Sequence, residues 1–109
     1  MTRFAPVPNK PNCVSSRADA SDRQHYIEPL TGTLAAAKAW ITSQPRTVIV
    51  EEDDGFLHAT FRTRFFGFVD DVHLEVEGEQ LHVRSASRVG YGDLGVNRKR
   101  VEALRKALE

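Results

Sequence analysis

Cys13 is the only cysteine among the 109 residues. An intrachain disulfide is therefore excluded, and so are a multi-thiolate zinc site and a Cys-x-x-Cys redox pair. No apolar run approaches the roughly 18 residues of a membrane-spanning helix. The opening Met1-Thr2-Arg3-Phe4-Ala5-Pro6 also lacks the apolar stretch of a secretory signal. The expectation is a cytoplasmic protein with no membrane span. Net charge is missing too: fifteen basic and fifteen acidic side chains cancel, so no global field draws the molecule to nucleic acid or to an anionic surface. No repeat and no low-complexity segment is present.

What remains is enough for one ordinary core. The chain is 40% hydrophobic and 28% charged, outside the range of disorder. A chain of this size removes roughly two-thirds of its extended surface from water without staples. The charge cancellation is not local. Residues 51–79 carry nine acids against Arg62 and Arg64, and residues 84–109 carry seven basic groups against Asp93, Glu102 and Glu109. Electrostatic function therefore belongs to a patch.

Residues 1–29 have no period and are broken by Pro6, Pro8, Pro11 and Pro29. They read as an extended N-terminal arm that packs on a single domain, residues 30–109, through Val14, Tyr26, Ile27 and Leu30. A helix is predicted from a Thr33 cap to Gln44, stopped by Pro45, with Leu34, Ala37, Trp40 and Ile41 on one stripe. Four strands are predicted at about 46–52, 56–64, 69–77 and 80–87 from their apolar alternation. Two-residue turns are expected at Asp54-Gly55 (type I′), Phe66-Gly67 and Gly78-Glu79 (type II′). Pairing around them sets Val50 against Ala59, Val48 against Phe61, Leu57 against Val76, Ala59 against Leu74, Phe61 against Val72, Val76 against Leu81 and Leu74 against Val83, all on one face. A last helix is predicted after an Asp93 cap, with Leu94, Asn97, Val101, Leu104 and Leu108 on its core stripe. The fold class is α+β: a two-layer sandwich of a four-stranded antiparallel meander with two helices on one face.

Three constellations bear on chemistry. The first is the outer sheet face, where Glu51, His58, Glu75 and His82 form one row; His58, Glu75 and His82 are candidates for a divalent metal. Alternating charges on a solvated sheet are the ordinary explanation, and no metal is assigned. The second is Cys13, a nucleophile only if its pKa is lowered and a base such as His25 stands beside it; a half-buried structural cysteine is the default. Ser15 and Ser16 lack a nucleophile-elbow context and read as turn residues. The third gathers at the end of the predicted strands, where Thr63, Asp70 and Ser87 make a polar row on an apolar face and Asn97 interrupts the stripe of the last helix. Arg64, Arg88, Arg98, Lys99 and Arg100 lie within reach of that end. Arg98, Lys99 and Arg100 in the first turns of a helix oppose its dipole unless Asp93 and Asp70, or a bound anion, offset them.

Several blocks carry a family likeness: Pro11-Asn12-Cys13-Val14-Ser15-Ser16, Ile27-Glu28-Pro29-Leu30, Leu57-His58-Ala59 and Phe66-Gly67-Phe68-Val69-Asp70-Asp71. Val83-Arg84-Ser85-Ala86-Ser87-Arg88-Val89-Gly90-Tyr91 and Asp93-Leu94-Gly95-Val96-Asn97-Arg98-Lys99-Arg100-Val101-Glu102-Ala103-Leu104 complete the set. Together, and in this order, they resemble the family catalogued as domain of unknown function 1499, over nearly the whole chain. Gly92 stands where members of that family commonly have Ser. The resemblance implies membership and no established activity. It also implies that Cys13, Asp70, Ser87, Arg88, Tyr91, Asp93, Asn97 and Arg98 share one region.

The functional expectation is a non-enzymatic binding or accessory module. Its pocket, for a small anion or a partner's acidic group, is expected at the start of the last helix, with Arg64, Asp70, Ser87, Arg88, Tyr91, Asp93, Asn97 and Arg98 as ligand-binding residues. No catalytic residue and no cofactor is assigned, and no nucleic-acid partner is expected. A cysteine-dependent enzyme using Cys13 and a metal-binding sheet face are the alternatives.

Overall fold

A computed structural model describes residues 2–109. The elements run β1 (Cys13–Ser15), β2 (Leu30–Thr31), α1 (Leu34–Ser43), β3 (Thr47–Asp53), β4 (Phe56–Arg62), β5 (Val69–Glu77), β6 (Gln80–Ser87) and α2 (Val96–Ala107). The fold is α+β. Strands β3 to β6 form the expected antiparallel meander, but among the described residues the sheet has six strands, in the order β1-β6-β5-β4-β3 with β2 also on β6. β1 pairs with residues 84–86 and β2 with residues 80–81. Between them they cover the edge of β6, whose N–H and C=O groups would otherwise stand open. Strands of three and two residues are too short to show a period, which is why the arm reads as irregular from its sequence.

Helix α1 begins where Thr33 Oγ1 accepts the Ala36 N–H at 3.1 Å, and it ends at Gln44. Ala37 and Ile41 from α1, with Val101 and Leu104 from α2, pack on Leu57, Ala59, Leu74, Leu81 and Val83. The arm contributes Val14, Ile27 and Leu30 to the same core. No described helix is long and apolar enough to cross a membrane.

The hairpins correct two of the three predicted registers. Gly78 (φ 61°) turns as expected, and Val76 faces Leu81 and Leu74 faces Val83. At Asp54-Gly55 neither φ is positive, so the turn is not type I′; Asp53 Oδ1 instead accepts the Gly55 N–H at 3.0 Å. A bulge between Ile49 and Glu51 then sets Ile49 against Ala59, and Val48 and Val50 are exposed rather than in the core. The β4–β5 connection is a loop over residues 63–68, not a two-residue turn, and β4 slides by two positions: Leu57 faces Leu74, Ala59 faces Val72 and Phe61 faces Asp70. An even slip keeps every side chain on its own face.

The last helix also starts later than predicted. Gly95 (φ 79°) occupies its cap position, and Leu94 (φ 56°) leaves the core stripe and is 95% exposed.

Candidate functional site

The end of the sheet that carries the β4–β5 and β6–α2 loops holds a buried polar network centred on Asn97. Its amide sits on the core side of α2 with no exposure, so every polar atom must find a partner. Nδ2 donates to Asp93 Oδ2 at 2.7 Å, Ser87 Oγ at 2.9 Å and the Asn12 carbonyl at 3.1 Å. Oδ1 accepts from Ser85 Oγ at 2.7 Å and from Arg100 Nη1 at 2.8 Å. Arg100 continues to Asp70, Nη2 to Oδ2 at 2.8 Å, with both side chains largely buried. The Arg100 guanidinium also lies 4.6 Å from the Phe61 ring centroid.

Asp93 closes the helix start. Oδ1 accepts the Gly95 N–H at 2.8 Å and Oδ2 the Asn97 N–H at 3.2 Å. A carboxylate of the chain itself thus stands where an external anion would meet the helix dipole.

Of the eight residues expected to bind a ligand, Asp70, Ser87, Asp93 and Asn97 converge. The other four do not join them. Arg88 reaches across to the outer face and grips Asp71 with two hydrogen bonds, at 2.7 and 2.9 Å. Arg98 donates to the carbonyls of Tyr26 and Gln24, holding the arm. Arg64 extends over the ring of Phe65, and Tyr91 stands exposed. Arg100, Asn12 and Ser85 are members that the residue assignment omits. Arg100 was within reach of sequence reasoning, because it lies three positions after Asn97 and so on the same side of the helix. Asn12 and Ser85 stand in blocks that carry the family likeness, but no polar or apolar period singles them out.

Beside this network lies a cavity of about 390 Å³ between the two loops. Phe68, Val89, Leu94 and Val96 give it apolar walls; Thr63, Asp70, Ser87 and Asp93 give it polar atoms, and no arginine or lysine lines it. Asp70 is neutralised by Arg100, and Asp93 is occupied by three N–H donors. Thr63 Oγ1 accepts the Phe68 N–H at 2.9 Å, which leaves its own proton free to donate. The lining therefore departs from the anion chemistry expected of this region.

The outer face is no solvated ladder. The arm crosses it: Phe4 is buried near His73, Arg3 bridges Glu51 and Asp53 while stacking over Phe56, and Thr2 bonds Glu75. The slip in β4 puts His58 against His73, with the rings stacked 4.2 Å apart, and not against Glu75. His58 bonds Asp71, Glu75 takes Arg17, and His82 meets Ser16 Oγ. No group of three potential ligands among the described residues is arranged to hold a metal. Burial, with help from His58 and Arg84, pushes the His73 imidazole down to about 4. Burial alone would raise the Asp71 carboxyl, but Arg88 and then His58 outweigh it and bring it to about 2.

Cys13 is buried, and burial pushes its thiol up, away from the reactive thiolate. His25 is spent elsewhere, at 2.7 Å from both Asp22 and the Lys10 carbonyl. Ser16 Oγ lies 2.8 Å from His82 Nδ1, but it is buried and already accepts the Val83 N–H.

A family model described as "Protein of unknown function (DUF1499)" matches residues 3–108. No curated protein and no solved structure matches the chain.

Proposed function

The chain belongs to the DUF1499 family, described as of unknown function, and on that premise we propose that it is a small-molecule binding module, not an enzyme. Its ligand occupies the cavity between the β4–β5 and β6–α2 loops. The class of ligand follows from the lining: an apolar body against Phe68, Val89, Leu94 and Val96, and one polar end that accepts a hydrogen bond from Thr63. The volume falls within the range of about 300–1,000 Å³ usual for such sites. One observation carries the reading: the carboxylates of the floor are already partnered, Asp70 by Arg100 and Asp93 by three N–H donors, and no cation lines the walls, so the free energy of binding comes from apolar contact. A phosphate or sulfate would find two carboxylates and no cation on the walls.

Methyl NMR of the protein titrated with decanol, decanoate and inorganic phosphate tests this. Decanol is expected to shift the methyls of Val89, Leu94 and Val96, decanoate to shift them less because its carboxylate faces Asp70 and Asp93, and phosphate to leave them unmoved. Val96→Trp, at a half-exposed position on the rim, fills the cavity and abolishes the shifts of Val89 and Leu94 while leaving the core methyls of Leu74 and Val83 unchanged. Shifts with phosphate alone would restore the anion pocket, and no shift with any of the three removes the binding role.

A further inference from the structure

The loops that frame the cavity also expose a set of large apolar side chains at one end of the molecule. Phe65 is 84% exposed, Phe66 77% and Tyr91 71%, beside Leu94 at 95%. They share one end because β4 stops at Arg62, β5 starts at Val69 and β6 stops at Ser87, with Arg62 facing Val69 and Asp70 facing Ser87. A monomer seldom leaves such a patch open without a partner.

The β4–β5 loop is braced. Thr63 N–H donates to the Phe68 carbonyl at 2.8 Å, Arg62 Nη1 holds the Gly67 carbonyl at 2.8 Å, and Phe66 stacks on Phe68 at 5.4 Å. The aromatic rings are therefore presented outward by a built loop. The segments that carry them are basic: Arg62 and Arg64 flank the phenylalanines in the chain, with Arg64 over the Phe65 ring, no acid occurs between Gly55 and Asp70, and Lys99 sits in the first turn of α2. Asp70 and Asp71 are cancelled by Arg100 and Arg88, which leaves Asp93 as the one unpaired acid of the two loops among the described residues.

We infer that this end docks peripherally on an anionic bilayer, with Phe65, Phe66 and Leu94 entering the interface and Arg62, Arg64 and Lys99 meeting acidic headgroups. Aromatic side chains favour the headgroup level, and basic groups beside them add attraction to acidic lipid within a Debye length. No spanning helix is needed for such contact. A second copy of the chain is the poorer occupant, because a two-fold contact through these tips gathers Arg62 and Arg64 of both copies in one interface with no acid of the loops but Asp93 to offset them. The inference rests on exposure and charge; Leu94 is shared with the cavity, whereas Arg64, Phe65 and Phe66 do not line it.

Co-sedimentation with vesicles of phosphatidylcholine, alone or mixed with phosphatidylglycerol, tests it on the full chain. Binding is expected to the mixed vesicles only, and to weaken in high salt. Phe65→Ser with Phe66→Ser should reduce it by about tenfold or more. Arg64→Glu should reduce it by roughly tenfold through the reversed charge. All three positions are exposed and none lines the cavity, so circular dichroism and the decanol titration should match wild type. That separates failure of docking from failure of ligand binding. Equal binding to both kinds of vesicle, none to either, or binding unchanged in the variants overturns the inference. Absence of vesicle binding together with a concentration-dependent dimer that Phe65→Ser and Phe66→Ser abolish would assign the patch to self-association.

Discussion

At the scale of single residues, Asp70 and Arg100 carry the greatest local stakes. Both side chains are nearly sealed from water, and each satisfies the other. Arg100→Met leaves a buried carboxylate alone and should destabilise the fold by about 3–5 kcal/mol. Asp70→Asn added to Arg100→Met should recover part of that loss, read by urea denaturation; equal loss in the single and double variants would mean that the pair does not act as one unit. Titration supplies a second prediction. The unfolded His73 imidazole takes a proton near its ordinary value of 6.5, whereas the folded one, facing His58, Arg84, Asp71 and Glu51, resists until about 4. Acid therefore favours the unfolded chain across that window, by on the order of 3 kcal/mol at its lower end. Asp71 adds a separate loss of roughly 2 kcal/mol as pH falls from 3.8 to about 2. His73→Phe should flatten the first window and leave the second, in urea midpoints measured across pH; an unchanged slope between pH 6.5 and 4 would count against this origin. Asp70, Ser87 and Asn97 were legible because each is polar on an otherwise apolar face, and Asp93 because it stands where a helix cap is expected. The arginines were not: a long flexible stem lets Arg88 reach the far face and Arg98 reach the arm, and sequence position does not choose between those ends.

At the scale of elements, the arginines of α2 hold the arm. Arg98 donates to the Tyr26 carbonyl at 3.0 Å, and Arg105 donates to those of Pro29 and Glu28 at 2.9 and 2.8 Å. Between β1 and β2 the segment has no strand of its own beyond one bridge from Ser15 to Tyr26, so these side chains replace a ladder. Arg98→Met with Arg105→Met should speed chymotryptic cleavage at Tyr26 by roughly tenfold or more. The melting transition of the sheet should move far less. Unaltered cleavage would show that Ile27 and Leu30, both buried, suffice to anchor the segment. The same elements explain what could be read in advance. The helices and the four long strands announce themselves through period, a threonine cap and Pro45. The faces of β4 and β5 survived a two-residue slip, because the period of two is indifferent to it, whereas the one-residue bulge turned Val48 and Val50 of β3 outward. Offsets were lost where local chemistry gave no signal: the bulge beside Val50 and the wide loop at Phe66-Gly67. The slip has a chemical consequence, since it exchanges the expected His58–Glu75 neighbour pair for the stacked His58–His73 pair.

At the scale of the whole molecule, the arm and the loop end differ in how they are tied down. Residues that read as an arm in the sequence are hydrogen-bonded to β6, Ser16 N–H meeting the Val83 carbonyl at 2.8 Å and Ser87 N–H the Asn12 carbonyl at 3.0 Å, and to one another, Ser15 N–H meeting the His25 carbonyl at 2.7 Å. The amides of Phe65, Phe66, Tyr91 and Gly92 lie in exposed loops with no such ladder. Native-state hydrogen exchange should therefore place the amides of Ser15, Ser16 and Ser87 in one slow class with the core strands, opening only as the molecule unfolds globally. The loop amides should exchange fastest. If Ser15 and Ser16 exchange as fast as the loops, the arm is an appendage, and the Asn97 network loses the Asn12 carbonyl that helps to fix it. If they are slow, the rigid body includes the arm, and loop motion is confined to the cavity walls and the aromatic tips, where a ligand and a surface are both expected to act.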